Sequence, residues 1–273
     1  LIIAHITFTC GATMSERSDV RAEFPFVGRQ RERARLAELL DDRNRPSPAI
    51  EVSGPAGIGK TRLVREFVHS HVAGRVIWES CRRTAAYGPW SRIAGHLAAR
   101  PFSALAAIVL GDDTFAASRS DLFEATVEFF REQATAEPLL IVLDDLHEAD
   151  TDTLALTRHV SSMVANSAVT ILATVRTDSR ETTLIPGAAR VDLGGLDTDD
   201  VQVLLGHDHV AERFRSRTAG NPLHLERLVR RASGDLSDAP LAELLTRQVN
   251  ELGDDERATL LALTVLDRPT VHA

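Results

Sequence analysis

The sequence predicts an α/β protein: a parallel sheet between two layers of helices, followed by a smaller all-helical region. Three observations carry this. Short apolar runs alternate with helix-length amphipathic stretches from about residue 30 to residue 176. The run at 139–143, Leu-Leu-Ile-Val-Leu, is apolar throughout, as a strand buried on both faces is. From about residue 190 the strand signals give way to helical periodicity.

The elements follow in order. After Phe24-Pro25-Phe26-Val27-Gly28-Arg29 a helix runs to about Leu40, with Leu36, Leu39 and Leu40 on its apolar side. The stretch 43–48, Arg-Asn-Arg-Pro-Ser-Pro, breaks it. Residues 49–52 read as a short buried strand, and Leu63, Val64, Phe67 and Val68 recur at helical spacing, with Arg62, Arg65 and Glu66 on the polar face. A second strand covers 75–78, helices cover about 88–110 and 119–135, and 139–143 is the next strand. A helix over about 150–164, a strand over 169–175 and a short strand over 190–193 complete the alternation. Helices near 197–205, 210–218 and 222–232 form the all-helical part, and two more are expected near 240–252 and 254–266.

Between the first buried strand and its helix lies Gly54-Pro55-Ala56-Gly57-Ile58-Gly59-Lys60-Thr61, which fits G-x-x-x-x-G-K-[ST], the phosphate-binding loop of nucleoside triphosphatases. Glycines let backbone N–H groups curl round an anion in conformations a Cβ would forbid. The helix behind offers its positive end to phosphate. Lys60 is the only lysine in the chain, so all other members of the 31 Lys and Arg residues are arginine. A compact ammonium there reaches β- and γ-phosphates where a planar guanidinium is too bulky. The Thr61 hydroxyl is placed to ligate Mg2+, and Arg62 follows at the helix start as a further nucleotide contact.

The second half of the site is Asp144-Asp145 at the end of the 139–143 run, the Walker B arrangement. Asp144 is expected to contact Mg2+ through its water shell, and Asp145 to orient or deprotonate the attacking water. Arg176, ending the strand expected beside that of Asp144, can reach the γ-phosphate and sense it; the competing reading is a solvated strand end, and the sensing role is favoured. Asp150 reads as a helix N-cap. His147 can face the nucleotide, but a loop histidine without a nearby ligand set reads as structural.

Other clusters read as ordinary. Arg29, Arg31, Arg33 and Arg35 are spaced by two and scatter round a helix. Arg213, Arg215 and Arg217 do the same. His207-Asp208-His209 lacks a third and fourth metal ligand at matching spacing. Trp78, Tyr87 and Trp90 read as packing residues rather than a base-stacking platform.

The bulk numbers bound the reading. A chain of 273 residues holds one α/β domain plus an appendage, and its 44% hydrophobic and 26% charged content is that of a globular protein. A formal charge of −8 argues against direct DNA binding by this segment. Cys10 and Cys81 show no metal spacing, and a cytoplasmic, reducing location is expected. No membrane association is expected. Residues 1–23 read as a disordered or misassigned leader, with Met14 a candidate natural start.

From Phe24 onward the chain resembles the signal-transduction ATPases with numerous domains (STAND), in particular the AAA+-like ATPase module of large ATP-binding LuxR-type bacterial regulators. The carriers are Phe26-Val27-Gly28-Arg29, the GPAGIGKT loop, LLIVLDDLHEAD, VTILATVR, Leu193-Gly194-Gly195-Leu196 and Thr218-Ala219-Gly220-Asn221-Pro222-Leu223. The resemblance implies a three-layer P-loop NTPase core over 24–189, a helical lid over 190–235 and an incomplete winged-helix segment over 240–273. It also implies ATP and ADP with Mg2+ as ligands. Val27, Gly28 and Arg29 would edge the adenine and ribose pocket, with Pro222 against the adenine. In the family ADP holds the closed state, and exchange for ATP permits self-association. Many relatives carry Trp where this chain has Glu148. The winged helix stops too early to be complete, so a fragment or a truncated product is expected.

The function expected is an ATP/ADP-dependent signal-transduction switch with slow Mg2+-dependent hydrolysis, serving a transcriptional regulator. The alternatives are a non-hydrolysing nucleotide-binding interaction module and an origin-recognition-type DNA-binding AAA+ ATPase, which shares the Val-Gly-Arg start.

Overall fold

The computed structural model describes residues 9–10, 25–42, 45, 47–72, 74–82, 85–97, 118–177, 183–205 and 208–233. The expected helices near 240–252 and 254–266, and the part of the 88–110 helix beyond Leu97, lie outside these.

The described residues form two compact units. The boundary falls between Leu193 and Gly194, and residues 25–29 group with the later, helical unit.

In the first unit the strands are β1 (Thr9–Cys10), β2 (Ala49–Gly54), β3 (Arg75–Ser80), β4 (Leu139–Asp144), β5 (Val169–Arg176) and β6 (Ala189–Asp192). All pair in parallel, in the order β1-β3-β4-β5-β2-β6. The helices are α1 (Gln30–Asp41), α2 (Lys60–His71), α3 (Gly88–Leu97), α4 (Arg119–Gln133) and α5 (Thr151–Met163), with a 3-10 turn at Leu146–Glu148. Within residues 1–23, expected to be a disordered or misassigned leader, Thr9 and Cys10 pair with Ile77 and Trp78.

Burial on both faces explains the apolar runs: every residue of β2 and of β4 is buried. Ile77, Leu139, Ile141, Leu143, Val169, Ile171 and Ala173 join a core with Trp90, Phe130 and Leu156, from α3, α4 and α5. The Trp90 indole N–H within it donates to Thr157 Oγ1 at 3.0 Å, so this buried ring keeps its polar handle satisfied. Because strand side chains alternate, Leu140, Val142 and Asp144 point to the other face, as do Leu172, Thr174 and Arg176. α2 lies on that face, where Thr61 meets Asp144.

Several elements run past the apolar signal. β2 continues through Ser53 to Gly54, β3 through Glu79 and Ser80. The backbone ladder carries these polar residues, Gly54 pairing with Arg176 and Ser80 with Asp144. Leu193 donates its N–H to Ser53 O at 2.7 Å and thereby stays with the sheet, beyond the expected core limit at residue 189.

The second unit has α6 (Thr198–Leu205), α7 (Asp208–Thr218) and α8 (Pro222–Ser233). Leu196, Val201, Leu204, Leu205, Ala211, Leu225 and Val229 form its core, and Val27 packs against it. That packing is why residues 25–29 group here and not with the sheet.

Candidate nucleotide-binding site

The candidate site stands at the carboxyl ends of β2, β4 and β5, where open parallel sheets place ligands. β5 lies between β2 and β4, so Arg176 ends between the glycine loop and the Asp144 turn. Gly57 and Gly59 have φ of 74° and 97°. Gly59 is the residue before α2, and a Cβ built on it would project into open space. Its need is therefore conformational: the left-handed turn aims the first N–H groups of α2 at the hollow of the loop.

Lys60 is 8% exposed, and its Nζ donates to Gly54 O at 2.9 Å and Pro55 O at 3.0 Å. The loop carbonyls thus hold the ammonium inside the loop. Pro55 and Ala56 are exposed at its rim, Ile58 is buried beneath it, and Arg62 is half-buried on α2. From the second position of α2, Thr61 Oγ1 donates to Asp144 Oδ1 at 2.9 Å, joining residues 83 positions apart.

A second hydroxyl converges on the same carboxylate. Thr174 Oγ1, fully buried in β5, donates to Asp144 Oδ1 at 2.6 Å and accepts the Asp145 N–H at 2.8 Å. Asp145 itself sits in the left-handed region at φ 56°, an uncommon conformation for a residue with a Cβ. The turn separates the acids. Asp144 is 8% exposed and faces Thr61, whereas Asp145 accepts a 2.7 Å bond from Arg82 Nε. Arg82 also lies 3.6 Å from Glu148 Oε1. Asp145, then Glu148, hold its guanidinium still more firmly protonated.

His147 accepts the Arg176 N–H at its Nδ1, 3.3 Å away, which leaves the ring proton on Nε2. Burial lowers its pKa, against the pull of Asp145 and Glu148, which favours the neutral ring. His147 therefore ties the acid turn to the end of β5, and the Arg176 side chain is exposed beyond it. Cys81 N–H donates to Asp144 O at 2.8 Å. Burial, and after it Asp144, pushes the Cys81 thiol up to about 12, so it is not a nucleophile. Asp150 Oδ1 accepts from the N–H groups of Asp152 and Thr153 at 3.0 and 2.8 Å, the N-cap its position predicts.

Two residues escaped the sequence reading. Thr174 had a usable signal, since it lies two positions before Arg176 and so on the same strand face. Arg82 had none beyond its place two residues after the apolar-to-polar end of β3.

Val27, Gly28, Arg29 and Pro222 belong to the second unit. Gly28 has φ 70°, and a Cβ there would collide with the Asp200 carboxyl group. Arg29, buried with φ 67°, donates from Nη2 to Gly194 O at 2.7 Å. Pro222 opens α8, where a missing N–H costs nothing, behind Asn221, whose Oδ1 accepts the Leu223 N–H at 3.1 Å.

Loop, acid turn and sheet order together define a P-loop NTPase of the AAA+ type. Residues 25–172, more than half of the chain, match the AAA ATPase domain, and the chain belongs to that family. The curated proteins include no match. Among solved structures, the chain is similar to a signal transduction ATPase with numerous domains from Pyrococcus horikoshii that carries a tetratricopeptide repeat sensor. Identity is 20% and the TM-score 0.50, over 94% of this chain and 37% of that one. It is also similar to the Orc1 protein of Aeropyrum pernix, solved in complex with DNA, at 16% identity and TM-score 0.52, covering 92% and 75%. A third likeness is Cdc6p of Pyrobaculum aerophilum, at 17% and 0.50, covering 80% and 63%. These likenesses define the fold. The chain spans just over a third of the length of the Pyrococcus protein. Among the described residues no helix is long and apolar enough to cross a membrane.

Proposed function

We propose that this chain is the ATP/ADP-binding switch module of a signal-transduction protein, with slow Mg2+-dependent ATP hydrolysis, serving a transcriptional regulator. The observation that carries the reading is the approach of Thr61 Oγ1 to Asp144 Oδ1, 2.9 Å apart beside the buried ammonium of Lys60. A hydroxyl and a carboxylate oxygen are hard donors, and a site with few protein oxygens suits Mg2+, which keeps its waters and takes phosphate oxygens. Magnesium, when bound, neutralises charge building on the phosphates.

The chain's own residues do the rest. The loop N–H groups and Lys60 hold the β- and γ-phosphates. Thr61 and Asp144 hold the metal, Asp145 orients water, and Arg176 answers to the γ-phosphate. Val27, Gly28, Arg29 and Pro222 receive the adenosine. Self-association follows the triphosphate state.

A non-hydrolysing module is the second reading. The Arg82–Asp145 pair leans toward it, because an acid held by a guanidinium is a poorer base, but a pair this exposed slows the step and does not block it. The test of the first reading is nucleotide affinity with phosphate release. Lys60→Ala should lower ATP affinity about 10- to 100-fold, the loss of charged hydrogen bonds, while circular dichroism shows the fold retained. Unchanged affinity rejects the site. Tight ADP binding without phosphate release, in the parent, selects the second reading.

A further inference from the structure

We propose that Thr174 is a positioning residue that sets both acids of the site from the sheet side; this rests on the nucleotide-switch reading above. A hydroxyl has one proton to give. The Asp145 N–H already points at Thr174 Oγ1, 2.8 Å away, so the threonine proton is committed to Asp144 Oδ1 at 2.6 Å. One buried group thus fixes the carboxylate of the first acid and the left-handed backbone of the second.

Thr61 cannot replace it. Thr61 also donates to Asp144 Oδ1, but from α2, the helix behind the phosphate loop, whereas Thr174 holds the acid from β5. With both bonds made, Asp144 is tethered to each side of the hollow, and the Thr61 oxygen keeps lone pairs for a metal. Without Thr174 the carboxylate is tied only to α2, and the half-buried Asp145 N–H loses its acceptor. Residues that orient a metal-binding carboxylate typically change metal affinity by about 10- to 100-fold when lost. The Thr174 hydroxyl bonds the two acids and not the phosphate loop, so its loss should leave metal-free binding alone.

The experiment measures ADP affinity with saturating Mg2+ and again in EDTA, for the parent, Thr174→Val and Thr174→Ser. The magnesium-dependent gain should fall about tenfold or more in T174V and be kept in T174S, which retains the hydroxyl. EDTA affinity should be the same in all three. A parental gain in T174V overturns the proposal, as does an equal loss in T174S, which would make the methyl group responsible. Should T174V not fold, Thr174→Cys, of similar size with a weakly donating thiol, is read by the same criterion. Failure of the parent to bind ADP at all instead overturns the nucleotide-switch reading.

Discussion

Arg82 donates to Asp145 Oδ2 at 2.7 Å from a side chain that is 59% exposed, so water and salt weaken the pair. Ion pairs this exposed are worth about 0.2–1 kcal/mol. Such a bond can slow hydrolysis but not abolish it, because the acid is released in a fair share of molecules. Arg82→Ala should therefore raise the rate of phosphate release, by no more than about fivefold from that energy, with ATP affinity unchanged. Asp145→Asn should remove release whether or not Arg82 is present. A fall in rate in R82A would mean that the arginine serves the reaction instead of restraining Asp145. The residue scale is also where the sequence was most legible and most silent. Lys60, Thr61 and Asp144 announced themselves because their chemistry demands fixed local spacing. Arg82 and Thr174 act through partners 63 and 30 positions away, which no local pattern encodes.

The strand that carries the glycine loop holds a buried acid of its own. Glu51, in β2, is 1% exposed, and its Oε1 accepts the Ile185 N–H at 2.6 Å. On the same segment, Arg158 Nε donates to Leu184 O at 2.8 Å. The two side chains clamp the approach to β6, which pairs with β2. Burial raises the Glu51 pKa, and the N–H groups of Ile185 and Leu184, then Arg190 and Arg158, only partly offset it. A carboxyl group raised on folding contributes stability that is full below its unfolded pKa. That contribution is lost as pH rises through the folded value. Above that folded value the ionised carboxylate thus costs stability. Glu51→Gln keeps an acceptor oxygen for Ile185 and removes the ionisation. Its Tm at neutral pH should equal or exceed the parent's, and the advantage should shrink as pH falls through the raised Glu51 value. A Tm difference independent of pH would mean that Glu51 folds without a raised pKa. At this scale the sequence located strands by apolar content, and it stopped short where polar residues such as Ser53 and Ser80 continue the ladder.

Among the described residues, the α/β alternation and the helices from Thr198 to Ser233 were legible because sheet burial and helical period leave repeated local marks. The grouping of residues 25–29 with the helical unit was not. Val27 finds its core among residues from Leu196 onward, some 170 positions later, and only folding brings them together. Net charge is the molecular property that separates the remaining functional readings. The chain shares its fold with an Orc1 protein solved on DNA, yet it carries 39 acidic against 31 basic residues. Each phosphate neutralised by a protein contributes affinity through released counterions, and a surface with an excess of acids repels the duplex instead. Binding of duplex DNA should accordingly be absent at physiological salt, with ATP or with ADP, in a fluorescence anisotropy titration. The outcome that would restore an origin-recognition role is an anisotropy rise whose midpoint weakens steeply with added salt. Several phosphate contacts would produce that slope, and they would require the arginines to be gathered on one face despite the overall negative charge.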